Sequence, residues 1–173
     1  QEEKYEEAIL LKNEIDKFFR FVSEEFKTKI QQVQIGSSYL GLPMYAYILS
    51  STKSHKVVKK SKILITAAHH ARELVTMTMV VGITIQTLRD ILHFDSKSTY
   101  LHFCDIVIVP MVNPDGVEKI SELWRVRDFS KIKEIRKNLN SSYQEHYESD
   151  CLPGVDINRN YDINHGTSEF DLN

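Results

Sequence analysis

The chain has 173 residues, of which 42% are hydrophobic and 27% charged, and its formal net charge is -2. These values are ordinary for a globular domain with its own core, and the near-neutral charge argues against a nucleic acid or an anionic membrane surface as partner. No apolar run approaches the roughly 18 residues that cross a bilayer. We therefore predict no membrane segment and one domain over residues 1–173. The oligomeric state stays open, with a monomer favoured.

The first third of the chain predicts a helix followed by a hairpin. Residues 2–27 place their apolar side chains on one helical face, with Glu and Lys residues opposite. The stretches "VQIG", "SSYLGLP" and "MYAYILS" are typical of a strand, a turn and a second strand. A basic solvated turn, "SSTKSHKVVKKSK", then leads to "ILITAA", which we interpret as a buried strand.

The middle of the chain alternates between helix and strand. Residues 74–93 are apolar on most sides and predict a well-buried helix, and Leu101 to Val112 predict a central strand. Asn113-Pro114-Asp115-Gly116 has strong turn chemistry, and residues 117–153 are charged and irregular, with at most one short helix expected. This order predicts an α/β fold, with a mixed, mostly parallel sheet flanked by helices.

The two cysteines receive different interpretations. Cys104 lies in the predicted central strand, where we expect a buried small hydrophobic side chain. Cys151 lies in a polar loop, where a disulfide to a residue beyond Asn173 stays open.

A dense polar cluster, "AAHHARELVT", follows the third predicted strand. His70 and Glu73 are three residues apart, so on a helical turn their side chains can converge on one point. Imidazole and carboxylate are suitable zinc ligands, and catalytic zinc takes three protein ligands plus a water. The alternative is a histidine at a helix start beside a solvated glutamate.

A second polar cluster lies in Asp156-Ile157-Asn158-Arg159-Asn160. Asn158 and Arg159 supply an amide and a guanidinium, a pair suited to a carboxylate because arginine presents a fixed two-donor fork. Functional groups of open α/β sheets gather at the carboxyl ends of strands, where His70 and Asn113 also fall. The alternative is a turn with a surface arginine.

These segments together resemble the zinc metallocarboxypeptidases of the carboxypeptidase A type. His70-Ala71-Arg72-Glu73 resembles their zinc-binding motif, and Gly154 to Asn160 resembles their Asp-x-Asn-Arg-Asn segment. Asn113 to Gly116 and "IGSSYLGLPMYAYILS" are similar to further family motifs, although Leu42 stands where arginine is usual. The resemblance runs from about residue 5 to 166 and implies the carboxypeptidase fold, incomplete at the C-terminus, with roughly the first half of the catalytic domain present.

The resemblance implies a role for each matching residue. His70 and Glu73 become ligands of one Zn²⁺ per full-length chain, and Asp156 becomes the acceptor that orients the His70 ring. Asn158 and Arg159 bind the C-terminal carboxylate of the substrate. Arg72 lines the substrate cleft, the alternative being a salt bridge to a neighbouring carboxylate.

The family also uses an arginine, in an Arg-Lys-(Asn/Thr) stretch often preceded by Trp, to stabilise the oxyanion. Arg136-Lys137-Asn138 matches the triplet without the Trp, whereas Trp124-Arg125 has the Trp without the triplet. We favour Arg136, and surface charge is the alternative for both. The third zinc ligand and the general-base glutamate are expected beyond Asn173, since His165 is too close to Asn158 and the neighbouring His69 is not expected to bind the same ion.

The resulting hypothesis is a zinc-dependent metallocarboxypeptidase, in its full-length form, that acts on peptide or protein C-termini. Two alternatives stay open: a zinc deacylase or deglutamylase on the same scaffold, and a catalytically inactive relative that only binds. The resemblance favours a secreted or lysosomal/vacuolar location, and side-chain specificity is unreadable.

Overall fold

The computed structural model describes residues 3–51, 60–93, 100–140, 142 and 154–162. The elements are helix α1 (Glu3–Glu25), strands β1 (Ile30–Ser37), β2 (Pro43–Leu49) and β3 (Ser61–Thr66), helix α2 (Val75–Leu92), strand β4 (Cys104–Val109), and helices α3 (Pro114–Arg125) and α4 (Phe129–Ile132). Two 3-10 turns, Tyr100–His102 and Ile157–Arg159, complete the set. Most of the basic turn, Cys151 and His165 lie outside the described residues.

The four described strands form one mixed sheet in the order β1-β2-β4-β3. The predicted mixed sheet with flanking helices is confirmed, and β4 is central as expected. Parallel pairing is not predominant in the described part, however, because β1–β2 and β2–β4 are antiparallel and only β3–β4 is parallel. The short turn at 38–42 accounts for the β1–β2 pairing, because a tight turn can join only antiparallel neighbours.

The core forms where α1 packs against β1, α2 and α3. The apolar face predicted for α1 is buried through Ile15, Phe19 and Val22, and the Phe19 ring lies 4.5 Å from that of Tyr47 on β2. Cys104 is buried and free, as expected. The sheet is thereby held against a helical layer, which gives the loops at its edge a rigid base.

Two predictions of deep burial are wrong for the described part of the chain. Strand β3 lies at the sheet edge, and its Ile63 and Leu64 are 46% and 64% exposed. Helix α2 buries one face, formed by Met77, Val80, Thr84, Thr87 and Leu88, and exposes Val75, Met79, Ile85 and Leu92 on the other. Apolar composition alone does not say which face a neighbour covers.

Helix α2 is also long and apolar enough, by length and composition, to cross a membrane. The prediction of no membrane segment therefore has one exception by that criterion. A core helix passes the same test, and one face of α2 is packed into the core, including the hydroxyl of Thr84, which donates to the carbonyl of Val80 at 2.7 Å. The packed face favours the interpretation as a core helix.

Helix α3 begins inside the segment that was predicted to be a turn. The Asn113 side chain accepts a hydrogen bond from the backbone N–H of Gly116 at 3.0 Å, Pro114 stands in the first turn, and Asp115 follows. Asparagine at the N-cap, proline at the first position and an early acidic residue are the chemistry of a helix start. The expectation of an irregular segment with at most one short helix is wrong here, since α3 has 12 residues and is largely buried.

Candidate metal centre

The polar cluster follows strand β3 at the edge where the parallel strands β3 and β4 end together. The backbone N–H of Val112 donates to Ala67 and that of Asn113 to Ala68, so the two chains continue side by side beyond the sheet. Ala68 has a φ of 52°, a left-handed conformation that costs energy for a residue with a Cβ. This buried, strained residue turns the chain before His69 and His70.

His70 and Glu73 converge as the spacing predicts. They lie in one turn, closed by a 3.0 Å hydrogen bond from the Glu73 backbone N–H to the His70 carbonyl. His70 Nδ1 lies 2.9 Å from Glu73 Oε1. The imidazole is buried, whereas the Glu73 side chain is 47% exposed. The pair therefore places a buried imidazole nitrogen against a carboxylate that is about half exposed.

Asp156 reaches the other side of the same ring from 86 residues away. Its Oδ1 lies 3.1 Å from His70 Nε2, and its Oδ2 accepts a 2.7 Å hydrogen bond from Arg136 Nε. Partial burial on its own would raise the pKa of Asp156, but the hydrogen bonds from Arg136 and His70 outweigh it and hold that pKa below the ordinary value. Asp156 is therefore an anion at neutral pH and a permanent acceptor for the ring.

The two contacts of the His70 ring test whether a zinc ion fits here. Both nitrogens face acceptor-only carboxylates, yet a neutral imidazole carries a single N–H. With the proton on Nε2, that N–H donates to Asp156, and a cation between Nδ1 and Glu73 would satisfy the other nitrogen. Two ligands of tetrahedral zinc lie about 3.3 Å apart, so the 2.9 Å separation needs only a few tenths of an ångström of adjustment.

The donor set within the described residues stops at these two ligands. No group of three or more His, Cys, Asp or Glu residues that could hold a metal ion is found in the described ranges. A zinc site needs at least one further ligand from elsewhere in the chain. His70 and Glu73 fit zinc chemistry, and the ligand set is incomplete in the part that the structure describes.

The structure separates the two candidate oxyanion arginines. Arg136 is bonded to Asp156 through Nε, which leaves the two Nη groups of the guanidinium out of that bond. Arg125 is the last residue of α3, whose first residue adjoins the site, and a 12-residue helix puts the two ends about 17 Å apart. The structure thus brings Arg136, and not Arg125, into contact with the Asp156–His70 pair.

The three predicted substrate-binding residues border this cluster. The Arg72 side chain donates to the carbonyl of Lys133 at 2.6 Å, and its backbone N–H to that of Ile135 at 3.2 Å, which ties it to the loop before Arg136. The recorded partner is thus a carbonyl rather than the carboxylate of the alternative interpretation. Asn158 and Arg159 are exposed and follow Asp156 directly, in the 3-10 turn.

Asn113 is a structural residue of the site that its motif did not reveal. Its side chain is buried and donates to the backbone carbonyls of His69 at 3.3 Å and Lys137 at 3.1 Å, while accepting from Gly116. One amide therefore joins the His70 turn, the start of α3 and the Arg136 loop. The helix-start signal at Asn113-Pro114-Asp115 could have indicated the cap, but not the two distant carbonyls.

The close packing of α3 on the His70 turn yields a stability prediction. A Cβ at Gly116 would lie 2.7 Å from the Cβ of Ala71, whereas one at Gly82, in α2, meets nothing within 4 Å. We expect Gly116→Ala to cost the full-length protein about 1–3 kcal/mol of unfolding free energy by overpacking. Gly82→Ala, the matched control, should be neutral or stabilise by up to about 1 kcal/mol. Urea unfolding measures both, and equal effects would contradict the packing described.

The Asp156 segment is fastened to the Arg136 loop by Asn138. The Asn138 side-chain oxygen accepts from the backbone N–H of Val155 at 2.8 Å, and the backbone N–H of Asn138 donates to the Val155 carbonyl at 3.0 Å. The adjoining Gly154 has a φ of 140°, and a Cβ there would lie 1.7 Å from the Asn138 carbonyl oxygen. Glycine is required at this close approach.

His69 has partners different from those of His70. Its Nε2 lies 2.6 Å from the hydroxyl of Tyr161, and the two rings are 5.9 Å apart. Burial and the neighbouring His70 lower the pKa of His69. This contact joins residues 92 positions apart and was not predicted.

Comparisons with known proteins agree with the fold and with the family resemblance. A family model described as zinc carboxypeptidase matches residues 15–172. Carboxypeptidase B2 of Rattus norvegicus is 29% identical over 169 residues, covering 91% of this chain and 35% of that protein. The carboxypeptidase A structure from Helicoverpa armigera has a TM-score of 0.63 at 26% identity and covers 90% of this chain and 34% of its own.

One further relative carries a different description. Inactive metallocarboxypeptidase ECM14 of Saccharomyces cerevisiae is 26% identical over 107 residues, covering 60% of this chain and 25% of that protein. The chain thus spans about a third or less of the length of the relatives it matches.

Proposed function

The chain belongs to the zinc carboxypeptidase family, and we propose that the full-length protein is a zinc exopeptidase that removes the C-terminal residue from peptides or proteins. One observation carries the proposal: the His70 ring is held by Asp156 on one nitrogen while its other nitrogen faces Glu73 at 2.9 Å. A buried imidazole oriented by a carboxylate is the usual arrangement of a metal-binding histidine.

His70 and Glu73 would hold the zinc ion, one per full-length chain, together with a ligand outside the described residues. When bound, zinc polarises the scissile carbonyl and lowers the pKa of a water molecule. Asp156 would accept a hydrogen bond from Nε2–H of His70 and so favour the tautomer that leaves Nδ1 available to the metal. The general base that takes the proton of the water would be a glutamate beyond Asn173, as the resemblance implies.

Arg136, Arg159 and Asn158 would bind the negatively charged groups of the substrate and of the transition state. The Nη groups of Arg136 would donate to the oxygen that becomes negative as the carbonyl is attacked. Asn158 and Arg159 would bind the free C-terminal carboxylate, which makes cleavage depend on a chain end. Arg72 would line the substrate cleft next to the loop before Arg136, to which it is joined by its hydrogen bond to the Lys133 carbonyl.

The experiment compares two versions of one peptide with the full-length protein. We expect release of the last residue from a peptide with a free C-terminus, measured by mass spectrometry, and about 10- to 100-fold slower release from its amidated form, because the Asn158–Arg159 pair would lose its charge-assisted bonds to the carboxylate. Arg159→Ala should raise the KM of the free-carboxylate peptide about tenfold or more. A chelator should stop the reaction and added zinc restore it. Equal cleavage of both peptides would overturn the proposal.

A second candidate is a catalytically inactive protein that binds peptide C-termini. This candidate is supported by the similarity of the chain to a protein named inactive metallocarboxypeptidase. This candidate predicts zinc-dependent binding of the free-carboxylate peptide without release of its last residue, so the same samples distinguish the two. The deacylase or deglutamylase alternative predicts cleavage at an acyl or side-chain amide instead.

The proposal extends to partners and location. The substrate is a peptide or protein C-terminus, with no nucleic acid or membrane partner, and the protein acts as a monomer. We place it in a secreted or lysosomal/vacuolar compartment, on the family resemblance. Gel filtration of the full-length protein and localisation of a tagged copy test both statements.

A further inference from the structure

The 3-10 turn Ile157–Arg159 is fastened at both of its ends to two adjacent residues of the His70 turn. Before the turn, Asp156 Oδ1 lies 3.1 Å from His70 Nε2. After it, the Tyr161 hydroxyl lies 2.6 Å from His69 Nε2. The two exposed residues Asn158 and Arg159 lie between these fastenings.

The bonds inside the turn do not fix its position relative to the metal ligands. The N–H of Arg159 donates to the Asp156 carbonyl, that of Asn160 to the Ile157 carbonyl, and Arg159 Nη1 to the Asn158 carbonyl. All of these stay within the segment. Among the described residues, the hydrogen bond between Tyr161 and His69 is what joins the C-terminal end of the turn to the rest of the protein.

We propose that His69 and Tyr161 are positioning residues that set the distance and orientation of the carboxylate-binding pair, Asn158 and Arg159, relative to His70. The inference rests on the proposed function of that pair. Two-point recognition of a carboxylate by arginine is sensitive to orientation, so release of one end of the turn weakens carboxylate binding. The metal ligands keep their own support through Asp156.

The test uses the full-length protein and separates binding from chemistry. Tyr161→Phe and His69→Ala should each raise the KM of a free-carboxylate peptide about 3- to 10-fold, the effect of one lost hydrogen bond, with kcat within about twofold. Zinc content should be unchanged. The KM of the double variant should equal that of either single variant, because the same contact is lost in all three proteins. His69→Gln, which keeps a polar group toward Tyr161, should restore the KM.

Tyr100→Phe is the matched control. It also deletes a tyrosine hydroxyl bond, to Asp90 at 3.1 Å, but at the opposite end of α2 from the site. Its KM should equal that of the unaltered protein. An unchanged KM in Tyr161→Phe, effects that add in the double variant, or a fall in zinc content would each overturn the positioning role.

Failure of the proposed function gives a different result. If the unaltered protein releases no residue, the peptidase proposal fails, and the same variants are titrated with the free-carboxylate and amidated peptides. The positioning role is supported if Tyr161→Phe binds the free-carboxylate peptide more weakly than the unaltered protein does, while the two proteins bind the amidated peptide equally. The role is overturned if Tyr161→Phe and the unaltered protein bind the free-carboxylate peptide equally, or if the unaltered protein does not bind it.

Discussion

His70→Ala and Glu73→Ala should each remove zinc from the full-length protein and abolish peptidase activity. Each substitution deletes one of the two proposed ligands, which share a single turn, and a catalytic zinc site usually has only three protein ligands. We expect metal content to fall from about one ion to below about one tenth per chain, measured by atomic absorption after dialysis. Metal content that stays at one ion per chain in both variants would show that the ligand assignment is wrong.

Two further variants, Asp156→Ala and His93→Ala, should show a smaller loss of zinc and no loss of zinc, respectively. Asp156→Ala leaves both ligands in place but frees the ring, so zinc affinity should fall by only about 10- to 100-fold. His93→Ala is the matched control for loss of a histidine, because His93 caps the far end of α2, about 27 Å along the helix from its first residue. Its zinc content and activity should be unchanged.

Arg136→Ala should lower kcat about 10²- to 10³-fold with a smaller change in KM. The reason is that a donor to the developing oxyanion acts in the transition state and contributes little to substrate binding. Arg136→Lys keeps the charge but loses the Nε–Asp156 bond, and should recover part of the activity. Steady-state kinetics with one free-carboxylate peptide measures all variants.

Arg125→Ala is the control that the chain itself supplies, since Arg125 is the competing candidate from the sequence. It lies at the end of α3 away from the site, so its kcat should stay within about twofold of the unaltered protein. A large loss of kcat in Arg125→Ala together with normal activity in Arg136→Ala would reverse the assignment.

Local patterns were the part of the structure that could be predicted from the sequence. The helical face of α1, the hairpin β1–β2 and the convergence of His70 with Glu73 depend on neighbours a few residues apart, and all are seen. The start of α3 was also local, through its asparagine cap and proline, but the same residues suit a turn and were misassigned. Strand pairing depends on distant partners, which is why the sequence did not indicate the antiparallel pairing of β2 with β4 in the described part of the sheet.

The long-range contacts of the site could not be derived from spacing. Asp156 was connected with His70 by family resemblance alone, and nothing in the sequence pairs Tyr161 with His69 across 92 positions. The three bonds of the Asn113 side chain were likewise invisible, because they are made to backbone atoms, which every residue has. A motif names the residues that act on substrate more readily than those that hold them.

The 86-residue separation between His70 and Asp156 has a consequence for biosynthesis. At about 5–20 residues per second, the ribosome makes Asp156 some 4–17 s after His70. Throughout that interval the Glu73 carboxylate is present beside Nδ1, but Nε2 lacks its Asp156 acceptor, so nothing yet favours the tautomer that leaves Nδ1 free for a metal. We therefore expect the nascent chain to bind zinc weakly until the Asp156 segment has folded against the sheet edge.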